Sequence, residues 1–198
     1  GGESATVLEA AHLRELINRT HFVCDSENSR YALGGVLFEH ADGQLFAVAT
    51  DGRRLAAMAV AATTSGPTVT DPTIVPQRSL GMVNRVLHNN DSPVRLRQHG
   101  STLTFDLLGT TVVTRLLEGK FPQWRSVMPT NEIIATIDVL GGHLLSAIRQ
   151  AAIVTDVESR GMKFTFKDGT LILEANTADI GLSRITMPIA YDREQLQM

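Results

Sequence analysis

Leu13-Arg14-Glu15-Leu16-Ile17-Asn18-Arg19-Thr20-His21-Phe22-Val23 is the stretch that decides the fold, because a version of it returns later in the chain. Leu13, Leu16, Ile17 and Thr20 have the i, i+3, i+4, i+7 spacing of one face of an amphipathic helix, with Arg14, Glu15 and Asn18 turned away. The spacing predicts a helix near residues 10 to 23. At a constant offset of 131 positions Leu144, Ala147, Ile148 and Ala151 repeat it, and Phe22-Val23 is echoed by Ile153-Val154. The echo continues past the helix. Ser29-Arg30 precedes the apolar stretch Tyr31 to Phe38 as Ser159-Arg160 precedes Met162 to Phe166. Each stretch reads as a strand that turns at Asp-Gly, Asp42-Gly43 and Asp168-Gly169, into a second strand, Leu45 to Thr50 and Leu171 to Asn176. The repeated unit is helix, strand, hairpin, strand.

Between the copies, Ile74-Val75-Pro76 leads into a helix expected from about Arg78 to His88, with Leu80, Val83 and Leu87 on one face and Arg78 and Arg85 on another. Pro93 to Gln98, Ser101 to Leu107 and Thr110 to Leu117 then alternate apolar with polar around His99-Gly100 and Leu108-Gly109, which reads as an antiparallel meander. Prolines at Phe121-Pro122 and Met128-Pro129 interrupt regular structure and end the first unit. The expectation is an α+β chain with two domains: residues 6–129, built twice over from helix plus strands, and residues 131–198, which repeat only the opening half.

Composition sets limits on function. Hydrophobic residues are 43% and charged residues 20% of the 198, as in a folded chain with a packed core. No apolar run approaches the roughly 18 residues that cross a bilayer, and Gly1 to Ala5 lacks a signal-peptide pattern, so a cytoplasmic protein without a membrane is expected. The net charge of -3 argues against a protein that holds nucleic acid chiefly by neutralising phosphates. The cations are nonetheless 15 Arg against 3 Lys, and Arg favours directional contacts to phosphate or carboxylate.

Two further stretches carry a resemblance. Ser29-Arg30-Tyr31-Ala32-Leu33-Gly34-Gly35-Val36-Leu37-Phe38-Glu39 with Leu45-Phe46-Ala47-Val48-Ala49-Thr50-Asp51-Gly52-Arg53-Arg54-Leu55-Ala56 resembles the middle domain of bacterial sliding clamps, the processivity subunits of replicative DNA polymerases. Arg115-Leu116-Leu117-Glu118-Gly119-Lys120-Phe121-Pro122-Gln123-Trp124-Arg125-Ser126-Val127-Met128-Pro129 is similar to the family's linker from middle to third domain. The resemblance implies the clamp fold, with antiparallel sheets and two helices on one face of each domain. It implies a homodimeric ring that encircles duplex DNA and tethers the polymerase III alpha subunit, the clamp loader and other clients, without a cofactor or metal. It also implies that this chain is a fragment unable to close a ring alone, a reading in line with Gly1-Gly2 and no initiating Met.

Site residues follow from the same resemblance. Leu33, Thr50, Gly52, Arg54, Leu55, Pro122 and Val127 match a cleft that accepts Leu- and Phe-bearing client peptides. Arg14, Arg78 and Arg85 match DNA-facing helix positions, and Ile153-Val154 the subunit contact. Two positions depart from the pattern: Ser126 stands where the family often has a basic residue, and Ser159 where some members have an aromatic.

The enzyme alternative finds little chemistry to stand on. The histidines, His12, His21, His40, His88, His99 and His143, show no HxxxH or HExxH spacing, and Cys24 is the single cysteine, so no zinc cluster is indicated. There is no Gly-x-Ser-x-Gly elbow, no phosphate loop around Gly119-Lys120, and no Gly-x-Gly-x-x-Gly. Asp51 before Gly52 reads as a turn-former rather than an aspartyl nucleophile. A second alternative, a peptide-binding scaffold that never meets DNA, stays open at this level.

Overall fold

The structure is a computed structural model that describes residues 5–25, 31–65, 72–87, 91–130, 133–155, 161–177 and 181–198. Ser29-Arg30, Ser159-Arg160 and His88 lie outside the described residues. The chain divides into two compact units, Gly1–Pro129 and Thr130–Met198.

In chain order the first unit contains β1 (Ala5–Glu9), α1 (Ala10–Thr20), β2 (Gly35–Ala41), β3 (Gln44–Thr50), β4 (Leu55–Ala61), β5 (Thr63–Ser65), β6 (Thr73–Pro76), α2 (Gln77–Val86), β7 (Pro93–His99), β8 (Thr102–Leu107), β9 (Thr110–Arg115) and α3 (Trp124–Val127). The strands form two antiparallel sheets, ordered β5-β1-β7-β8-β9 and β4-β3-β2-β6. The order shows an internal twofold. One half runs β1, α1 and the meander β2-β3-β4; the other runs β6, α2 and the meander β7-β8-β9. Each half sends its first strand into the other's sheet, β1 beside β7 and β6 beside β2.

The two halves share one core. Leu13, Leu16 and Ile17 of α1, Leu80 and Val83 of α2, Val36, Phe38 and Leu45 of one sheet, and Leu96, Leu103 and Phe105 of the other belong to a single buried cluster. Burying such side chains stabilises by about 1.5–3 kcal/mol each, which explains why the apolar spacing alone marks the helices. Neither helix has a side-chain N-cap. At α1 the other half supplies a partner instead, the Ala10 N–H donating to the Ser92 carbonyl at 2.9 Å; near their far ends the two helices are tied side by side, Asn84 Nδ2 of α2 donating to Asn18 Oδ1 of α1 at 2.8 Å.

The second unit contains α4 (Gly141–Ala151), β10 (Lys163–Lys167), β11 (Thr170–Thr177), β12 (Gly181–Pro188) and β13 (Leu196–Gln197), in one sheet ordered β12-β11-β10-β13. Its order reproduces β4-β3-β2-β6, one sheet of the first unit. The helix bounds keep the offset of 131, and the 3-10 turns that follow, His21–Val23 and Ala152–Val154, keep it too. Both Asp-Gly hairpins have positive φ at both turn residues, 52° and 73° at Asp42-Gly43 and 47° and 72° at Asp168-Gly169. That is the type I′ turn whose twist suits two adjoining strands.

Several expected boundaries need correction. The helix expected to Val23 ends at Thr20, where Thr20 turns its hydroxyl onto the Leu16 carbonyl and a 3-10 turn takes over. The strand expected from Tyr31 begins at Gly35, after a 3-10 turn over Tyr31–Gly34. The helix expected from Arg78 to His88 spans Gln77–Val86, because Leu87 turns to extended backbone. The last meander strand ends at Arg115, and Leu117 bridges to Ile74 instead.

Candidate functional site

Four of the seven expected cleft residues sit on one turn. β3 and β4 pair through Thr50 and Leu55, leaving Asp51-Gly52-Arg53-Arg54 as the loop. Asp51 organises it. Its Oδ1 accepts the Arg53 and Arg54 backbone N–H groups at 2.9 and 3.0 Å, and its Oδ2 accepts Arg54 Nε at 3.0 Å. Those backbone donors, led by Arg53, hold the carboxyl below its usual range, as expected for a turn-former kept ionised. Thr50 adds a second clip, its Oγ1 accepting from Gly52 N at 3.0 Å and donating to the Arg54 carbonyl at 2.7 Å. Gly52 has φ 87° with open space where a Cβ would stand, so its backbone is accessible from outside.

Leu55 leads from this turn into a small buried cluster on the outer side of the β2-β3-β6 sheet. Leu37, Val48, Ile74, Phe121 and Trp124 form it, with Ala32, Phe46, Leu55 and Leu117 packed alongside. Through Phe121 and Trp124 the chain carrying Pro122 and Val127 joins the same cluster, while Pro122 is exposed and Val127 is 65% exposed. Leu33 is buried in the turn before β2, its carbonyl accepting Asp25 N at 2.9 Å. The two expected walls are thus tied to one apolar cluster, with exposed Arg54, Pro122 and Val127 around it.

Sequence reasoning passed over the polar part of this region. Glu39 Oε2 accepts the Trp124 indole N–H at 3.3 Å and Oε1 accepts the Arg125 guanidinium. Arg125 lies 4.2 Å from the Trp124 ring and 5.3 Å from Phe46. A cavity of about 600 Å³ opens beside them, lined by Leu37, Glu39, Ile74, Phe121, Pro122 and Trp124 among others. Of the seven expected residues only Pro122 lines it. The tryptophan in the quoted linker was the available signal; its acidic partner, 85 positions away, was not readable.

The expected DNA-facing residues divide. Arg78 and Arg85 are exposed on α2, on one stripe with half-exposed Met82 between them. Arg14 donates to the Leu87 carbonyl just past the end of α2, which ties its cation to a helix C-terminus and not to open solvent. Ile153 is 75% exposed in the turn after α4, as is Phe22, at 54%, in the matching turn after α1. Val154 is half-buried, and its carbonyl accepts the Thr177 hydroxyl. Among the described residues no group of three or more His, Cys, Asp or Glu could hold a metal ion. No helix among them is long and apolar enough to cross a membrane.

This doubled arrangement, two halves exchanging first strands around a pair of helices, is that of sliding clamps. The clamp of Bartonella birtlesii, solved with griselimycin bound, superposes with a TM-score of 0.86 at 27% identity, over 100% of this chain and 54% of that chain. The clamp of Pseudomonas aeruginosa gives 0.84 at 26%, over 100% and 55%. The chain matches the model of the DNA polymerase III beta subunit, central domain, over residues 7–123 and belongs to that family. The beta sliding clamp of Chlamydia trachomatis is 31% identical over 192 residues, 96% of this chain and 45% of that protein. The one from Escherichia coli K12 is 27% identical over 194 residues, 96% and 51%. The chain therefore spans about half the length of the curated relatives it matches.

Proposed function

We propose that this chain is the working middle of a DNA-replication processivity factor, a non-catalytic ring that encircles duplex DNA in the cytoplasm and tethers the replicative polymerase. One observation carries the reading: the internally doubled architecture superposes over the whole chain on solved sliding clamps at a TM-score of 0.86. On this reading residues 6–129 are the complete middle domain and residues 131–198 the opening half of the third. Encirclement needs only weak contacts, which accords with a net charge of -3, since topology and not phosphate neutralisation retains the ring. Arg78 and Arg85 touch the duplex loosely, Arg14 chiefly braces α2, and Ile153-Val154 meets the partner subunit of a homodimer.

The tethering surface is the cleft of Leu33, Thr50, Gly52, Arg54, Leu55, Pro122 and Val127, where Gly52 lets an extended peptide approach the backbone and the leucines supply an apolar wall. The polymerase III alpha subunit, the clamp loader and other clients dock there in turn. Primer extension on a singly primed circle tests the function. The full-length protein lengthens the products made by its own replicative polymerase, and Gly52→Trp, which strains a positive φ and fills the open side, abolishes that gain. Products of unchanged length with the unaltered protein would refute the proposal.

A further inference from the structure

The segment carrying Pro122 and Val127 has little structure of its own. Between β9 and α4 its described residues hold one helix, α3, of four residues, far below the length at which a helix sustains itself. Its local hydrogen bonds are few: Trp124 N to Pro122 O at 2.8 Å, Ser126 N to Gln123 O at 3.0 Å, Met128 N to Arg125 O at 3.4 Å, and the Ser126 hydroxyl to Gln123 O at 2.7 Å. Its position must come from what it grips.

Phe121 and Trp124 seat it in the apolar cluster, and its polar grip is one cross-strand pair. Glu39 of β2 and Phe46 of β3 stand opposite each other in the ladder. Glu39 takes the indole N–H of Trp124 on one oxygen and the Arg125 guanidinium on the other, while Phe46 meets the Trp124 ring at 6.0 Å between centroids and Arg125 covers both rings. Trp124 is 8% exposed, so these contacts are shielded from water on the ring side, and both acceptors of the carboxylate are occupied. Four residues beyond Phe46 the same strand reaches Thr50 and the Asp51–Arg54 turn. We propose that Glu39, Trp124 and Arg125 form a clasp that fixes the Pro122–Val127 wall at its working distance from the Thr50–Leu55 turn, making them positioning residues for the client cleft although none of them is a cleft residue. The neighbouring cavity sharpens the point. The open cavity of about 600 Å³ lined by Phe121 and Pro122 leaves part of the segment unpacked, so its placement leans on the clasp as well as on the burial of Phe121.

The proposal rests on the cleft reading above, and the experiment separates the two. Glu39→Leu keeps an apolar stem and removes both acceptors; Glu39→Gln keeps an acceptor for the indole. Trp124 is the one tryptophan of the chain, so its indole N–H resonance and emission report the clasp directly. In Glu39→Leu the indole resonance shifts, amide resonances over 123–127 and around the opposite Phe46 move, those over the 50–55 turn stay, and a Leu- and Phe-bearing peptide binds about tenfold more weakly, ~1.4 kcal/mol. The unfolding midpoint changes little, and Glu39→Gln recovers most of the affinity. Equal affinity in the unaltered chain and Glu39→Leu, with Gly52 and Val127 perturbed by peptide in both, overturns the clasp and leaves the cleft standing. A peptide that perturbs neither Gly52 nor Val127 in the unaltered chain overturns the cleft and the clasp together. A loss that Glu39→Gln does not recover assigns Glu39 a merely structural role and also overturns the proposal.

Discussion

Gly35→Ala adds one methyl group where the structure has no room for it. Gly35 opens β2 and pairs with Pro76 of β6. An added Cβ would stand 2.5 Å from the Val75 carbonyl oxygen and 2.9 Å from both Ile74 Cγ2 and Leu117 Cδ1. Ordinary contact begins at 3.4 Å, so the carbonyl must retreat by about 0.9 Å, and as backbone in a ladder it cannot swing aside as a side chain would. β6 must open from β2, drawing Ile74 and Leu117 out of the cluster that seats Phe121 and Trp124. Overpacking costs about 1–3 kcal/mol. A ladder hydrogen bond lost adds about 1 kcal/mol. The stiffer unfolded chain offsets about 0.4–1 kcal/mol of this. The net is a loss of roughly 2–3 kcal/mol. Urea unfolding followed by Trp124 emission measures it. At a slope of about 2 kcal/mol/M the midpoint falls by about 1 M. A midpoint within about 0.3 M of the unaltered chain would show that β6 and its cluster yield freely, and would refute the argument that this face is rigid.

Other outcomes follow from the same contacts. Gly81→Ala, inside α2 with nothing within 4 Å of the added Cβ, stabilises by roughly 0.5–1 kcal/mol, and a lower urea midpoint would contradict the helix assignment. Burial lowers the pKa of His40, whose ring meets the Thr6 hydroxyl at 2.7 Å between the two sheets. Because the folded value lies below the unfolded one, the neutral ring's stabilisation is present above about pH 6.5 and is lost as pH falls, so His40→Gln flattens the pH dependence of stability between about pH 7 and 5. A profile unchanged by that substitution would refute it. Burial also pushes the Cys24 thiol up to about 12, so a thiol reagent at about pH 8 labels the chain only after denaturant is added; rapid labelling of the folded chain would contradict the packing around it.

The legible part of the fold was periodic and local. α1 and α4 showed because their apolar faces repeat every three or four residues, and both hairpins because Asp-Gly accepts positive φ at both turn positions. β1 stayed hidden, since Ala5, Thr6 and Leu8 are all buried and a strand covered on both faces does not alternate. β12 alternates, but with Leu182 on its exposed side it reads against the polar-out rule. The exchange of β1 and β6 between sheets joins residues far apart in sequence, and nothing local encodes it. The candidate site divides the same way. Thr50 to Leu55 forms one turn and was readable as one motif, and Pro122 to Val127 as another, both through family resemblance. Their joining through Phe46, Trp124, Arg125 and Glu39 is a tertiary fact, invisible until β2 and β3 are paired.

Retention on circular DNA tests the central claim most directly. The full-length protein containing this chain, loaded by its clamp loader on a nicked circular duplex, is carried through gel filtration with the DNA. It stays there when salt rises from about 50 to 200 mM, a change that strips a protein held by several phosphate contacts. One cut that linearises the circle releases it. Loss from the circle with salt alone, or equal retention on circular and linear duplex, would show binding by contact instead of encirclement and would contradict the account.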